Sequence, residues 1–362
     1  MVSGRAPDAP IAVPMASSPT PPPTAPAAPG ATPQPTVSLR HVGHRFGDVQ
    51  ALDDLTFDVP ARGITVLLGP NGAGKTTAIR SITGALSPKD GDISVFGTDP
   101  RSEGDHVRPR CGVVSAKPAL YDRLSGYDNL LYSAQLYDVP AAGLRDRIVT
   151  AAARFGIADA LDQQVGGYST GMKTRLALSR SVLHDPDLLL FDEPTSGLDP
   201  ESSQAVLDLI RDMTADGKTV VMCTHLLAEA EGLADHIVVM EAGHALCTGT
   251  PDELTERYLP AATVVLDAES PDQLDRLAHL TGVIGYDRGD VARVELDGFG
   301  RVPDLVLSLA RDGVRLTRVE PHVPTLEDLY FAVRRERAAQ LAGTTAAPPA
   351  VPTTDDQLVR SA

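Results

Sequence analysis

The run Ile64-Thr-Val-Leu-Leu-Gly69-Pro-Asn-Gly-Ala-Gly-Lys75-Thr76-Thr77 joins an apolar strand to a glycine-rich turn and the start of a helix. It fits the phosphate-loop pattern G-x4-G-K-[ST], in which glycines let successive backbone N–H groups face phosphate oxygens. In this pattern Lys75 contacts the β- and γ-phosphates, and the Thr76 hydroxyl binds Mg²⁺. The positive end of the following helix favours the same anion. The stretch therefore predicts a nucleotide site formed by Gly69, Pro70, Asn71, Gly72, Ala73, Gly74, Lys75, Thr76 and Thr77.

A second apolar strand, Leu188-Leu-Leu-Phe-Asp192-Glu193, ends in two carboxylates. Unpaired charge is costly at the end of a buried strand, so we expect these acids to have a cation or a substrate as partner. Asp192 suits the Mg²⁺ shell, directly or through water, and Glu193 can polarise the attacking water as a general base. Acids also end strands for purely structural reasons. The phosphate loop in the same chain favours the catalytic interpretation.

The overall composition restricts the class of protein. A chain of 362 residues indicates about two domains. The net charge of −16 disfavours nucleic acid as a partner, and it also disfavours non-specific binding to anionic lipid. No apolar run approaches the roughly 20 residues that cross a bilayer, and no signal-peptide pattern opens the chain. We therefore expect a protein that neither spans a membrane nor is secreted.

Proline-rich ends flank two blocks of patterned sequence. Residues 1–36 and 337–362 are rich in Pro, Ala and Thr, which predicts disordered tails. Residues 37–258 alternate strand and helix patterns, and helical spacing dominates at about 121–185. This alternation is typical of a mostly parallel sheet covered by helices. The second block, 262–336, has the order βαββαβ, which predicts a small ferredoxin-like α+β domain.

Helix limits within these blocks follow from the same patterns. Helical spacing after the phosphate loop predicts a helix over 75–86. A second helix is expected at 201–215, between two apolar strands. In the second block, helices are predicted over 271–280 and 303–311. The second block contains no recognisable chemical motif.

The segment Tyr168-Ser169-Thr170-Gly171-Met172 precedes a helical run and lies upstream of Asp192. Together with the phosphate loop and the paired carboxylates, this order resembles the ATPase subunits of ATP-binding-cassette (ABC) transporters. The form Y-S-x-G-M is similar to the signature of the branch that exports drugs, lipids or polysaccharides. The resemblance implies that Ser169 and Gly171 contact the γ-phosphate held by a second subunit. A simple helix N-cap at Ser169 is the structural alternative.

Further motifs follow in the order that the resemblance implies. Ser196-Gly-Leu-Asp199 is similar to the D-loop that crosses the dimer interface, and His225 to the switch histidine that contacts the γ-phosphate. Phe46 lies where the family has an aromatic residue that stacks on adenine. His225 and Phe46 each have an alternative as ordinary core residues. At the position where the family usually has a Gln that contacts Mg²⁺ and water, this chain has Ala116. Either water fills that position, or hydrolysis and its coupling are slower.

The resemblance implies an α/β fold. This fold is a P-loop ABC cassette with a mostly parallel sheet, antiparallel N-terminal strands and a helical subdomain, followed by the small C-terminal domain. It also implies ATP and Mg²⁺ as ligands, a homodimer that encloses two composite sites, and a separate integral-membrane permease. The permease's cytoplasmic helices would dock near residues 115–130, which places the subunit at the inner face of the cell membrane. Export is the expected direction.

Two functions of other classes compete with this reading. A soluble ABC ATPase acting on ribosomes or DNA usually joins two cassettes or carries a long coiled coil, and neither is visible in this sequence. A nucleotide-gated regulator that scarcely hydrolyses ATP is the other alternative, and Ala116 leaves it open.

Overall fold

The strands form three sheets within residues 34–288 and 291–343, which the computed structural model describes. In chain order they are β1 (Val37–Phe46), β2 (Val49–Val59), β3 (Ile64–Leu68), β4 (Asp90–Val95), β5 (Cys111–Val114), β6 (Leu188–Asp192), β7 (Thr219–Thr224), β8 (His236–Glu241), β9 (His244–Gly249), β10 (Ala262–Ala268), β11 (Val283–Arg288), β12 (Ala292–Leu296) and β13 (Leu316–Pro321). The helices are α1 (Lys75–Ile82), α2 (Gly104–Val107), α3 (Gly126–Leu136), α4 (Leu144–Arg154), α5 (Thr170–Val182), α6 (Pro200–Ala215), α7 (Leu227–Ala230), α8 (Pro251–Tyr258), α9 (Val302–Arg311) and α10 (Leu326–Leu341).

The largest sheet has six strands in the order β5-β6-β7-β3-β8-β9. All neighbouring pairs are parallel except β8 and β9, which are antiparallel. Strands β3, β6 and β7 are buried along their whole length, as their continuous apolar runs predict. Because parallel strands end at the same edge of the sheet, the loops after these three strands lie together. The prediction of a mostly parallel sheet is confirmed.

A second, antiparallel sheet has the order β2-β1-β4. Its apolar face and one face of the main sheet enclose helix α1 in a shared core of buried aliphatic side chains. This agrees with the expected antiparallel N-terminal strands. Helix α1 ends at Ile82 rather than at residue 86. Gly84 has a φ of +70°, and a Cβ there would lie 2.4 Å from the Pro100 carbonyl oxygen, so the chain turns away from helical geometry at this glycine.

Helices α3, α4 and α5 pack around a core of their own, which includes Leu130, Ile148 and Leu176. Two of them begin at a serine cap: Ser125 accepts a hydrogen bond from Asp128 N, and Ser169 accepts one from Met172 N. The expected helical region is therefore present between residues 126 and 182.

The third sheet is antiparallel, in the order β11-β12-β10-β13. Its buried face and helix α9 enclose another apolar cluster. A helix is present where one was predicted over 271–280, but Pro271–His279 is a 3-10 helix and not an α-helix. The described residues from Gln34 onward form one compact unit, so the division into two blocks and the ferredoxin-like domain stay predictions.

Helix α10 packs on the cassette rather than on the third sheet. Its Leu326, Leu329 and Val333 are buried in the same cluster as the strands of the main sheet. The predicted start of a disordered tail at 337 is wrong, because α10 continues to Leu341. The buried residues of α10 pack against the core of the main sheet, which stabilises the helix.

The N-terminal limit of the fold also differs from the prediction. Thr36 was expected in the tail, but it is buried and its N–H donates to Val59 O at 2.9 Å. The rest of the predicted tails, residues 1–33 and 344–362, lies outside the described residues. In the part of the chain that the structure describes, no helix combines the length and the apolar character that a membrane span requires.

Candidate nucleotide site

The phosphate loop, residues 69–77, connects β3 to α1 at the carboxyl edge of the main sheet. Two of its glycines are required by close contacts: a Cβ at Gly69 would lie 2.2 Å from Met240 O, and one at Gly74 would lie 2.5 Å from Ala51 O. Gly74 also has a φ of +101°, which an L side chain rarely adopts. These glycines therefore let the loop lie directly against neighbouring backbone.

Lys75 is buried within this loop, with only 5% of its surface exposed. Its Nζ donates to the carbonyl oxygens of Gly69 at 2.6 Å and Pro70 at 3.1 Å. The ammonium group is thus held over the concave side of the loop by two backbone acceptors. This is where the loop pattern places a cation that contacts phosphate.

Thr76 and Asp192, the two residues predicted to hold Mg²⁺, are in direct contact. The Thr76 hydroxyl donates to Asp192 Oδ2 at 2.8 Å, which joins the start of α1 to the end of β6. Asp192 is 5% exposed, and burial raises the pKa of its carboxyl group. The hydrogen bond from Thr76 opposes this rise in pKa, and the neighbouring Glu193 carboxylate adds to it.

Glu193 and His225 are also brought together. His225 Nδ1 lies 3.1 Å from Glu193 Oε1, although 32 residues separate them in the chain. Their parent strands, β6 and β7, are neighbours, and Asp192 pairs in register with Cys223. The N–H of Glu193 donates to Cys223 O at 3.0 Å, while the residue has a φ of +52°. This strained backbone directs the carboxylate towards the end of β7.

The signature segment, residues 168–172, has a different character. Ser169 is exposed and caps α5, its Oγ accepting from Met172 N at 3.2 Å, so the structural alternative is realised. Asp199 likewise caps α6, accepting from Ser202 N at 2.9 Å and from Ser202 Oγ at 2.7 Å. These hydrogen bonds lower the pKa of Asp199. Neither side chain takes part in the cluster around Lys75 and Asp192.

The signature segment nevertheless lies close to the D-loop segment, residues 196–199. A Cβ at Gly197 would lie 3.7 Å from Thr170 Cγ2, and one at Gly171 would lie 3.8 Å from Leu198 Cδ2. Both are ordinary van der Waals distances. The starts of α5 and α6, where Ser169 and Asp199 are exposed, are therefore neighbours in the fold.

Phe46 lies at the end of β1 with 48% of its surface exposed. It is therefore not a core aromatic residue, which removes the structural alternative for this position. Ala116 is exposed in the loop after β5, and β5 pairs with β6 beside Asp192.

The turn between β8 and β9 was missed by the sequence analysis. The N–H of Gly243 donates to Ala73 O at 3.0 Å, inside the phosphate loop, and Gly243 O accepts from Asp53 N at 3.0 Å. Ala242 and Gly243 both have positive φ and form a two-residue turn between paired strands. In the sequence, Gly243 marks this turn only locally, and it does not reveal that the turn supports the distant phosphate loop.

Comparisons with known proteins identify the family of the chain. The ABC transporter family model matches residues 52–196. The daunorubicin resistance ATP-binding protein DrrA3 of Streptomyces coeruleorubidus is 37% identical over 290 residues, covering 79% of this chain and 92% of that protein. The Nod factor export ATP-binding protein I of Burkholderia orbicola (strain AU 1054) is 34% identical over 253 residues, covering 69% and 83%. A solved structure of an ATP-binding subunit of an ABC transporter matches with a TM-score of 0.57 and 28% identity, covering 62% of this chain and 93% of that one.

The family predicted from the motifs is confirmed by the similarity to DrrA3, because the alignment with this chain covers 92% of that protein. The solved structure supports the cassette fold independently of the sequence pattern. The chain therefore belongs to the ABC transporter family, as an ATP-binding subunit with ATPase activity.

Proposed function

We propose that two copies of this chain enclose Mg²⁺-ATP and hydrolyse it to power export through a separate membrane permease. The observation that carries this proposal is the cluster at one sheet edge, where Lys75, the Thr76–Asp192 pair and the Glu193–His225 pair lie together. The start of α1 and the ends of β6 and β7 supply these side chains. Polar side chains from three separate elements therefore converge at the edge where the phosphate loop lies.

The roles follow from the chemistry of each group. The backbone N–H groups of residues 69–77 and the Lys75 ammonium bind the phosphates. Glu193 accepts a proton from the attacking water, and His225 orients that carboxylate and contacts the γ-phosphate. Phe46 stacks on the adenine base from its exposed position.

The donor set of Thr76 and Asp192 fits Mg²⁺. Both groups present oxygen, which this ion prefers, and Mg²⁺ in nucleotide sites is commonly held by one or two protein ligands together with substrate phosphates. The described residues contain no cluster of three or more His, Cys, Asp or Glu that would form an all-protein metal site. When bound, the ion neutralises charge that develops on the phosphate oxygens.

A second copy completes the site in this proposal. Ser169 and Gly171 are displayed at the start of α5, where N–H groups favour an anion and no acidic residue lies in the first turn, and Asp199 is displayed at the start of α6. Within the described residues, the side chains of Ser169 and Asp199 form hydrogen bonds to the starts of their own helices and not to the groups around Lys75. Closure of a homodimer would place it opposite the partner's phosphate loop and exclude water.

The permease would dock on the helical region. Tyr121, Leu124 and Tyr132 are exposed large apolar residues near positions 115–130, and Tyr121 and Tyr132 contact each other edge to face. Apolar residues grouped on a surface favour a protein partner. One relative is named for Nod factor export, which supports export as the direction of transport. Binding to the permease would hold the subunit at the inner face of the cell membrane.

The decisive experiment uses Glu193→Gln. This change removes the general base but keeps the size of the side chain, so ATP binding should persist while hydrolysis falls by about 10²–10⁴-fold. We expect the variant to form a stable dimer with ATP and Mg²⁺, measured by size-exclusion chromatography with light scattering.

Glu256→Gln is the matched control, because Glu256 is exposed on α8 away from the site. It should hydrolyse ATP at the unaltered rate and should accumulate no dimer. A Glu193→Gln protein that binds ATP yet stays monomeric would overturn the composite site.

A further inference from the structure

His44 packs against Phe46, the proposed base-stacking residue, two positions along the same strand. Their ring centroids lie 4.5 Å apart and their planes cross at 74°, an edge-to-face contact. This geometry is attractive between aromatic rings, because the positive edge of one ring meets the negative face of the other. The contact therefore restrains the orientation of the Phe46 ring.

The two rings differ sharply in exposure. His44 is 7% exposed, whereas Phe46 is 48% exposed. His44 is thus a fixed, buried support, and Phe46 is the surface that it supports. Phe46 is the last residue of β1 and pairs with Val49 across the hairpin turn.

The imidazole of His44 also has a buried nitrogen, Nδ1, without a hydrogen bond in the described residues. Such an atom is normally disfavoured, because burial removes its hydrogen bond to water and gives nothing in return. An apolar side chain would avoid this loss, so core packing alone does not account for a histidine here. The aromatic contact with Phe46 gives the ring a role.

We infer that His44 is a positioning residue for base recognition, which holds the Phe46 ring in the orientation that stacks on the adenine of ATP. The inference rests on the proposed contact between Phe46 and the base. A preoriented ring loses less conformational freedom when the base binds, which raises affinity. His44 should therefore affect nucleotides that carry a base and should leave binding of the phosphates alone unchanged.

The test compares His44→Leu with His44→Phe. Leucine fills the buried space without an aromatic edge, and phenylalanine restores the edge and removes the unpaired nitrogen. We expect His44→Leu to weaken ATP binding by about 3- to 10-fold, the cost of ordering one side chain when the base binds. Phenylalanine should retain most of the affinity. Isothermal titration with ATP, and separately with inorganic tripolyphosphate, gives both constants, and thermal unfolding verifies that each variant is folded.

Phe46→Ala provides the background that isolates the coupling. It should itself weaken ATP binding about tenfold or more, because a base loses its stacking partner. In this background His44→Leu should have no further effect on ATP binding. His41→Leu is the matched control: His41 lies on the same strand, but its ring is exposed and pairs with Asp54. It should bind ATP and tripolyphosphate as the unaltered protein does.

Several outcomes would overturn the role of His44. These are equal losses with leucine and phenylalanine, no loss with leucine, an equal loss for tripolyphosphate, or a loss that persists in the Phe46→Ala background. Failure of the underlying proposal has a different signature, because Phe46→Ala would then leave ATP affinity unchanged.

Discussion

The phosphate-loop region and the signature region are both assigned to one nucleotide, yet they are built differently. In the first, side chains from α1, β6 and the loop after β7 bond to one another, as in the Thr76–Asp192 and Glu193–His225 pairs. In the second, Ser169 and Asp199 are exposed, and each bonds only to the start of its own helix. One region is organised by long-range contacts and the other by local ones.

The difference is what a shared site requires. A chain can assemble groups that it uses itself, because burial and neighbouring strands hold them in place. Groups that act on a partner's ligand must remain exposed until the partner arrives, and helix capping keeps them ordered without covering them. The region with few internal contacts is therefore the one that we expect to be completed by a second copy.

Complementation between two inactive variants tests this division most strongly. Lys75→Ala removes the buried cation of the phosphate loop, and Ser169→Ala removes the exposed hydroxyl of the signature. Each should lower ATP hydrolysis by about 10²-fold or more, as does loss of a group that stabilises developing charge. A mixed dimer carries both lesions in one site and none in the other. Mixing the two proteins should therefore restore activity in about a quarter of all sites.

A mixture of Lys75→Ala with Glu193→Gln is the matched control. Both of these lesions lie in the phosphate-loop region, so every site of a mixed dimer is defective and phosphate release should stay at the background rate. If phosphate release by the Lys75→Ala and Ser169→Ala mixture also stays at the background rate, the signature region does not complete the site of a partner chain. That outcome would contradict the division between the phosphate-loop and signature regions.

The local parts of the site were predictable from sequence, but the long-range parts were predictable only where side-chain motifs mark them, as at Thr76 and Asp192. The phosphate loop is contiguous, and its strand and helix partners follow directly, so Ile64–Leu68 was predicted to the residue. Gly243 supports the same loop from a distant part of the chain, because its N–H donates a hydrogen bond to Ala73 O. Backbone contacts of this kind leave no side-chain motif. Helix α10 was missed for a related reason, since its buried face is specified by the distant core that it covers.

The two acidic residues of the compared regions should respond oppositely to amidation. Burial raises the pKa of Asp192, so the folded state holds its proton more tightly than the unfolded chain, and above that raised pKa the ionised carboxylate reduces stability. Asp192→Asn should therefore raise the midpoint of thermal unfolding at neutral pH while abolishing hydrolysis. The advantage should shrink as the pH falls through the raised pKa.

Asp199 is the counterpart. Hydrogen bonds from Ser202 lower its pKa, so its carboxylate stabilises the fold above the unfolded pKa, and that stabilisation is lost as the pH falls through the lowered one. Asp199→Asn should slightly lower the unfolding midpoint at neutral pH, since asparagine still caps the helix. Thermal scans without nucleotide over a range of pH measure both changes. Shifts of the same sign would contradict the contrast between a buried and an exposed site.

The smallest effect is expected at Ala116, which lies at the phosphate-loop edge but contributes no polar group. The loop after β5 lies beside Asp192, because Val114 pairs with Phe191 in the sheet. Ala116→Gln would add one hydrogen-bonding group near the attacking water, and one such bond is worth about 0.5–1.5 kcal/mol. We therefore expect steady-state ATP hydrolysis to rise by no more than about tenfold. Ala116→Leu adds similar bulk without a polar head and should give no rise. Equal rates of ATP hydrolysis for both variants and the unaltered chain would indicate that water already fills the position. Alanine at position 116 would then not limit hydrolysis at the phosphate-loop region.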